Sequence, residues 1–223
     1  MLVLFDIDGT ILRSQHIGVR AMTAAGQSLY GETFSLDGIP IAGRLDPLIW
    51  NDAARAHDVQ ITDANHVIFR ETYTGMLKRM LASETAAYLL PGVAELIAHL
   101  SKRESIAIAL LTGNYPETGR MKIEAAGLDP DLFAFGAFGD DGPTRRDLPP
   151  VAMARYRATF EREIDPARTI IIGDTEHDVD CAKVNGCRSI AVATGMSSVE
   201  ELTPFSADLT VSDLSDVDQI AEW

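Results

Sequence analysis

Short apolar runs alternate with helical patterns along most of this chain. The runs occupy residues 2–5, 106–111, 132–138, 169–172, 189–193 and 209–211. Strands that are buried on both faces are continuously apolar, so each run predicts a strand inside a sheet. Because helical patterns separate the runs, we predict an α/β fold with a doubly wound, mainly parallel sheet and right-handed crossovers.

Residues 13–88 interrupt this alternation with helical patterns alone. Helices are predicted over residues 19–30, 46–57 and 63–81. The second is expected to begin with Asp46 as its N-cap and a proline at its first helical position. No strand is predicted in this stretch. We therefore expect a helical domain at 13–88, inserted between the two parts of a core domain, residues 1–12 and 89–223.

Composition and charge narrow the class of protein. The chain has 223 residues, of which 46% are hydrophobic and 23% are charged, as in globular proteins. Its formal charge of -14 argues against general binding to nucleic acid or to an anionic membrane, because both need basic patches. No apolar run approaches the ~20 residues that cross a bilayer. Without a recognisable leader, and with two cysteines expected to be reduced, the protein is predicted to be cytoplasmic.

Polar and charged residues follow the apolar runs where the predicted strands end. They are Asp6 and Asp8 after the first run, Thr112 after the second, Arg145 after the third, and Asp174 and Asp178 after the fourth. The carboxyl ends of parallel strands lie at one edge of a sheet, so these side chains can converge. Several carboxylates in one cleft favour a divalent cation, and Mg²⁺, which also binds substrate phosphate, fits best. An arginine and a threonine hydroxyl would hold a phosphoryl group, and an aspartate can attack phosphorus.

Three motifs resemble those of the haloacid dehalogenase superfamily. Residues 6–10 (DIDGT) resemble its DxDGT signature, residues 111–114 (LTGN) are similar to its second motif, and residues 173–178 (GDTEHD) resemble its acidic fourth motif. The helical insertion lies where the family places a type 1 cap. Residues 91–93 (PGV) resemble phosphoglycolate-phosphatase-like members. The resemblance covers nearly the whole chain and implies a Rossmann-like core with an inserted helical cap.

The resemblance also implies a role for each motif residue. Asp6 would be the nucleophile and a Mg²⁺ ligand. Asp8 would protonate the leaving oxygen, later activate water, and bind the metal through its backbone carbonyl. Thr112 would donate a hydrogen bond to the phosphoryl group. Asp174 would bind the metal directly, and Asp178 would support the metal site from nearby or through a water.

One motif departs from the family pattern. The family usually has a lysine before the helix that leads into the fourth strand, whereas this chain has Arg145 and Arg146. Position favours Arg145 for the lysine's role, with Arg146 as the alternative. Arginine keeps the charge, but its fork geometry differs from that of an ammonium group.

Substrate contacts are expected from the second motif and from the cap. Gly113 and Asn114 are candidates for binding substrate beside Thr112. The loop at residues 43–46 resembles the cap loop that faces the active site in related phosphatases, so Arg44 is the candidate for holding the far end of an anionic substrate. His16, near the expected hinge, is a further candidate for the cleft.

These expectations define a function and its alternatives. The leading hypothesis is a magnesium-dependent phosphatase that hydrolyses a small phosphorylated metabolite through an aspartyl-phosphate. The acid at Asp8 separates phosphatases from true dehalogenases of the family. The alternatives are a phosphomutase resembling beta-phosphoglucomutase and a catalytically silent binding protein on the same fold. A monomer or a homodimer is expected, without nucleic acid or membrane partners.

Overall fold

A computed structural model describes residues 1–83 and 87–221. Its strands are β1 (Leu2–Phe5), β2 (Leu12–Arg13), β3 (Tyr88–Leu89), β4 (Ala107–Leu111), β5 (Gly136–Ala137), β6 (Thr169–Gly173), β7 (Arg188–Val192) and β8 (Leu209–Val211). Its helices are α1 (Ile17–Tyr30), α2 (Asp46–Ala56), α3 (Asp63–Ser83), α4 (Val93–Ser101), α5 (Pro116–Ala125), α6 (Leu148–Phe160), α7 (Glu176–Val184), α8 (Val199–Leu202) and α9 (Val217–Ala221). Within these described residues, no helix has the length and apolar character needed to span a bilayer.

Six strands of the described chain form one sheet in the order β5-β4-β1-β6-β7-β8, and every neighbouring pair is parallel. The first strand, β1, pairs with β4 on one side and β6 on the other, so that Leu2 lies opposite both Ala107 and Thr169. The chain runs outward from β1 in both directions, which places the topological switch point beside it. The predicted doubly wound α/β fold is confirmed.

Both faces of β1 are covered by helices. Side chains alternate across a strand, so Leu2 and Leu4 face one helical layer and Val3 and Phe5 face the other. The first pair packs in a cluster with Leu148 and Tyr156 of α6 and Cys181 of α7. The second pair packs with Val93, Leu96 and Leu100 of α4. Burial of each large side chain contributes about 1.5–3 kcal/mol, which makes this continuously apolar strand the centre of the core.

The insertion between β2 and β3 has a hydrophobic cluster of its own. Large side chains of α1, α2, α3 and the connecting loop meet there, among them Met22, Phe34, Trp50, Phe69 and Tyr73. Its three helices were predicted to within two residues at either end. The domain boundaries at 12/13 and 88/89 stay a prediction. Residues 84–86 and 222–223, which belong to the predicted domains, lie outside the described residues.

A short antiparallel ribbon at the base of the insertion was not predicted. The strands β2 and β3 pair Leu12 with Leu89 and Arg13 with Tyr88. The expectation of no strand within residues 13–88 is therefore wrong at both ends of that stretch. Strands of two residues are too short to show an alternating pattern, and the ribbon forms only because the fold brings two distant segments together.

The third apolar run is mostly not a strand. A strand was predicted over residues 132–138, but only Gly136–Ala137 pairs with β4, and a 3₁₀ turn at Pro130–Leu132 precedes it. Phe133 and Phe138 are buried against the core, so the run is apolar because it packs there. Apolar character alone does not distinguish a buried loop from a buried strand.

Candidate active site

Asp6 lies at the carboxyl end of β1, at the switch point of the sheet. Its backbone N–H donates to the carbonyl oxygen of Ile172 at 2.9 Å, which continues the pairing with β6 beyond the end of the strand. Only 5% of the residue is exposed. Its carboxylate lies 3.2 Å from the guanidinium of Arg145. The backbone ladder therefore holds a nearly buried carboxylate beside a cation.

Arg145 joins Asp6 to Asp178 of α7. Its Nη2 atom donates to Oδ1 of Asp178 at 2.5 Å. The other oxygen of Asp178 accepts from the backbone N–H and the hydroxyl of Thr175, at 3.1 and 2.7 Å, in a capping box at the start of α7. Arg146 instead pairs with Asp180 at the surface. The fold thus brings Arg145, and not Arg146, to the aspartates.

Asp174 completes an acidic cluster at the end of β6. Oxygen atoms of Asp6, Asp174 and Asp178 all lie within 4.8 Å of one another, and all three residues are buried. Burial raises the pKa of Asp6 to about 6, because the charge of Arg145 only partly offsets the effect of burial and the charge of Asp178 raises this pKa further. Burial and the charges of Asp6 and Asp178 also raise the pKa of Asp174 well above its usual range. The cluster is short of positive charge, so its chemistry fits a divalent cation.

Asp8 has a different environment from Asp6. Its carboxylate accepts from the hydroxyl of Ser14 at 3.0 Å, from Nδ2 of Asn114 at 2.9 Å and from Nζ of Lys122 at 2.6 Å. About 39% of the Asp8 side chain is exposed. Burial would raise the pKa of Asp8, but the Lys122 ammonium and the donated hydrogen bonds outweigh it and lower that pKa. Asp8 is therefore held as a carboxylate.

Lys122 is a site residue that the sequence did not reveal. Although it belongs to α5, which lies outside the motifs, its side chain is only 5% exposed. Besides Asp8, its ammonium group donates to Oδ1 of Asn114 at 2.6 Å. Lys122 follows the buried Thr118 by four residues and therefore lies on the same helical face. A lysine on the buried face of a helix was the available signal, because such a lysine needs a partner.

The second motif forms the wall between Asp8 and the insertion. The hydroxyl of Thr112 accepts from Nδ2 of Asn114 at 2.9 Å, and the backbone N–H of Thr112 donates to Ala137 at 3.0 Å. A Cβ atom at Gly113 would collide with the backbone of Arg44 in the insertion. Glycine is required there because the insertion loop lies directly against the backbone of the motif.

Asp46 holds the insertion loop against the second motif, and its predicted role as a helix cap is wrong. It was expected to cap α2, but Leu45 is the N-cap and Asp46 is the first helical residue. Its backbone N–H donates to the carbonyl oxygen of Gly113 at 2.7 Å, and its carboxylate accepts from the backbone N–H of Tyr115 at 3.1 Å. Burial raises the pKa of Asp46 to about 7. The carboxylate of Asp46 therefore accepts a hydrogen bond from the segment before α5 and does not cap its own helix, α2.

Arg44 and His16 also reach the site, but Arg44 is not free. Its Nη2 atom donates to Oδ2 of Asp52 at 2.6 Å, so its charge is compensated within the insertion. His16 is exposed and has a left-handed backbone, with φ of 57°, immediately before α1. Both line the cavity beside Asp6.

A cavity of about 640 Å³ lies between the insertion and the sheet edge. The predicted residues that line it are His16, Arg44, Asp6, Asp8, Thr112, Gly113, Asn114, Arg145 and Asp174. Asp178 does not line the cavity, but it accepts hydrogen bonds from Arg145 and Thr175, which do. Lys122, Asp46, Met22, Ile49 and Tyr73 line it as well. The strand ends and the insertion therefore enclose one common space.

Known proteins resemble this chain over almost all of its length. The haloacid dehalogenase-like hydrolase family matches residues 3–183. Probable phosphatase IndB of Dickeya dadantii is 25% identical, over 97% of this chain and 91% of its own length. The phosphoglycolate phosphatase of Chromobacterium violaceum is 26% identical, over 96% of this chain and 93% of its own length.

A solved structure has the same fold. CbbY from Rhodobacter sphaeroides, in complex with phosphate, superposes with a TM-score of 0.74. The superposition covers 97% of this chain and 95% of that chain, at 20% sequence identity. At this identity the likeness concerns the fold alone.

Proposed function

Because this chain belongs to the haloacid dehalogenase-like hydrolase family and is an enzyme of its phosphatase type, we propose that it hydrolyses a small phosphomonoester through an aspartyl-phosphate on Asp6. The observation that carries this proposal is the convergence of Asp6 and Asp174, at the ends of the neighbouring strands β1 and β6, with the guanidinium of Arg145. Asp6 is oriented by its backbone and paired with a cation, while one side of it faces the cavity. Such a carboxylate is suited to attack phosphorus.

The acidic cluster fits Mg²⁺. We propose that Asp6, Asp174 and the backbone carbonyl of Asp8 hold it, with Asp178 less directly involved because both its oxygens already accept hydrogen bonds. The bound ion would neutralise the carboxylates and polarise the phosphoryl group.

The first chemical step forms the covalent intermediate. An oxygen of Asp6 attacks phosphorus, the bond between phosphorus and the alcohol oxygen breaks, and Asp8 gives that oxygen a proton. Thr112, Gly113 and Asn114 would bind the phosphoryl oxygens from the opposite wall. Arg145 orients Asp6 and offsets the charge that gathers at the phosphoryl group.

The second step returns the enzyme to its starting state. Asp8, now a carboxylate, takes a proton from a water that attacks phosphorus, and the bond between Asp6 and phosphorus breaks to release phosphate. The proton on Asp8 then passes to the departing phosphate, which restores the carboxylate of the free protein. Since Lys122 holds Asp8 as a carboxylate in the free protein, the proton for the first step enters with the monoanionic form of the phosphomonoester. Lys122 and Ser14 act on Asp8 and position it.

The test is an Asp6→Asn variant assayed for phosphate release with Mg²⁺. We expect turnover to fall by at least about 10³-fold, because an amide does not attack phosphorus. Asp180→Asn, at a surface ion pair, is the matched control and keeps full activity. Rapid hydrolysis by folded Asp6→Asn would contradict the proposal. A sugar phosphate that isomerises without releasing phosphate would instead support the phosphomutase alternative.

The residues of the insertion would act as a cap. We propose that residues 13–88 form this cap domain and that residues 1–12 and 89–223 form the core. The cap loop is already seated against the core, since the backbone of Asp46 donates to Gly113. A closed cap excludes bulk water from the phosphoryl group and supplies the walls that recognise the alcohol.

A further inference from the structure

The cavity has two chemically different ends, and α1 leads from one to the other. Near the start of α1 the cavity is polar, because the hydroxyl of Ser14 donates a hydrogen bond to Asp8 there. A Cβ atom at Gly18 would lie 3.1 Å from Nζ of Lys122, so Gly18 marks the level of the lysine. Met22 lies about 6 Å further along the axis, because four residues make slightly more than one helical turn. The Met22 side chain therefore lines the part of the cavity remote from the aspartates.

A similar change occurs along α2. Asp46 begins this helix against the second motif, and Ile49 follows one turn later in the cavity wall. Met22 and Ile49 are at most 3% exposed, and both belong to the hydrophobic cluster of the insertion. The hydroxyl of Tyr73 instead lies at the level of Lys122, 3.5 Å from where a Cβ atom at Gly18 would be. Val19 and Ile41 complete this wall and are half-buried. The remote end is thus a packed apolar surface.

The charged residues near the apolar end do not favour a second anion. Arg44 donates to Asp52, which also pairs with Arg55. The nearest acid on α2, Asp46, is buried and would repel an anion whenever it is ionised. Arg13 lines the cavity too, but it donates to the carbonyl oxygen of Thr194, on the side of the sheet edge. Among the described residues that line the apolar end, none is an unpaired cation.

We propose that the substrate carries an uncharged, apolar group at the end remote from phosphorus, and that the cavity selects such phosphomonoesters over short ones that carry a second anionic group there. The inference rests on the proposed function and specifies its substrate class. A carboxylate placed between Met22 and Ile49 would lose its water without gaining a partner. An alkyl group there would instead be removed from water favourably. The volume of about 640 Å³ leaves room for such a group beside the phosphoryl site.

Two matched esters test this selection. The 4-methylpentyl ester of phosphate and the phosphate ester of 4-hydroxybutanoate have the same arrangement of heavy atoms, but only the second ends in a carboxylate. We expect kcat/KM with Mg²⁺ to be at least about tenfold higher for the 4-methylpentyl ester. Equal values, or a preference for the carboxylate, would overturn the inference.

A positive charge introduced into the apolar wall should reduce the preference for the 4-methylpentyl ester over the carboxylate ester. In Met22→Lys the new ammonium group would pair with the carboxylate ester, so the ratio of the two kcat/KM values should fall at least about fivefold. Val19→Lys, at a half-buried position, makes the same test if Met22→Lys does not fold. Val67→Lys, on an exposed part of α3, is the control and should leave the ratio unchanged. An unchanged ratio in a folded wall variant would contradict the inference.

Binding of non-hydrolysable analogues separates this inference from the proposed function. The two phosphonates in which a CH₂ group replaces the ester oxygen are titrated into the wild-type protein with Mg²⁺ by calorimetry. If neither ester is hydrolysed, the proposed function fails. Tighter binding of the phosphonate with the uncharged alkyl end, by at least about tenfold, would still support the apolar subsite. Equal binding, reversed binding or no binding of either would overturn it.

Discussion

Asp6 and Asp8 lie two residues apart and each contacts a buried cation, but their surroundings act on them in opposite directions. Asp6 is almost enclosed and shares Arg145 with Asp178, and burial raises its pKa to about 6. Asp8 opens toward the cavity and has Lys122 together with two neutral donors, which lower its pKa despite burial. The site at Asp6 therefore lacks positive charge, whereas the negative charge of Asp8 is already compensated by Lys122.

This difference teaches how a single motif can hold two carboxylates with separate tasks. The site at Asp6 gains most from a cation bound nearby. The site at Asp8 is already compensated without one and can transfer a proton. The roles follow from the partners that the fold supplies, since the two side chains are chemically identical.

The largest effect should come from removing the cation at Asp6. In Arg145→Met, Asp6 and Asp178 would be left buried without their partner, so we expect the free energy of unfolding to fall by about 3–5 kcal/mol. Urea unfolding without Mg²⁺ measures this. Arg145→Lys is the control and should lose clearly less, because the charge remains. If the two variants were equally stable, the charge of Arg145 would not be what holds the cluster.

Removing the cation at Asp8 should cost less. Lys122→Met keeps the length of the side chain, and water in the cavity can replace the ammonium at the partly exposed Asp8. We expect a loss of about 1–2 kcal/mol in urea unfolding, below the range for a fully enclosed pair. Its kcat/KM should also fall by about 10- to 100-fold, because Asp8 is no longer positioned. Lys78→Met, on the exposed side of α3, should change neither quantity.

The acidic cluster should make stability depend on pH and on Mg²⁺ together. The raised pKa values of Asp6, Asp46 and Asp174 mean that the folded protein binds more protons than the unfolded chain. Their contribution to stability is present at low pH and is lost as pH rises through about 6 to 7.

Thermal unfolding with and without Mg²⁺ checks this dependence. Without the ion, Tm should fall between acidic and neutral pH. Added Mg²⁺ should raise Tm more at neutral than at acidic pH, because protons compete for the same carboxylates. An equal increase at both pH values would show that the ion binds elsewhere.

The smallest effect is expected at the neighbouring arginine. Arg146 pairs with Asp180 at the surface, outside the cavity. Exposed ion pairs contribute little to stability, so Arg146→Met should leave both urea unfolding and kcat/KM without measurable change. A loss of activity comparable to that of Arg145→Met would mean that Arg146 has a part in the site.

The predictable part of the site comes from the ends of strands. Asp6, Thr112 and Asp174 each follow an apolar run, and parallel strands end at a common edge, so their meeting could be expected before any coordinates. For the cation, position in the sequence favoured Arg145 but left Arg146 as an alternative, because adjacent residues in a turn point in different directions. Only the position of Asp178 on α7 decides which of them reaches the cluster.

Residues on helices were harder to place. Lys122 and Asp46 belong to α5 and α2, and their partners lie on segments far along the chain. A helical pattern shows which face is buried, but not which polar group of another segment lies opposite. For the same reason the contact of Arg44 with Asp52 within the insertion could not be predicted.

The sequence by itself determined the parallel sheet, the helical insertion and the acidic edge, because the periodicity of apolar residues and the ends of strands are local properties of the chain. The tertiary structure decided which cation each aspartate receives, which arginine faces inward, and that the remote end of the cavity is apolar. Those features depend on contacts between segments more than a hundred residues apart, such as that of Lys122 with Asp8, and only the packed fold specifies them.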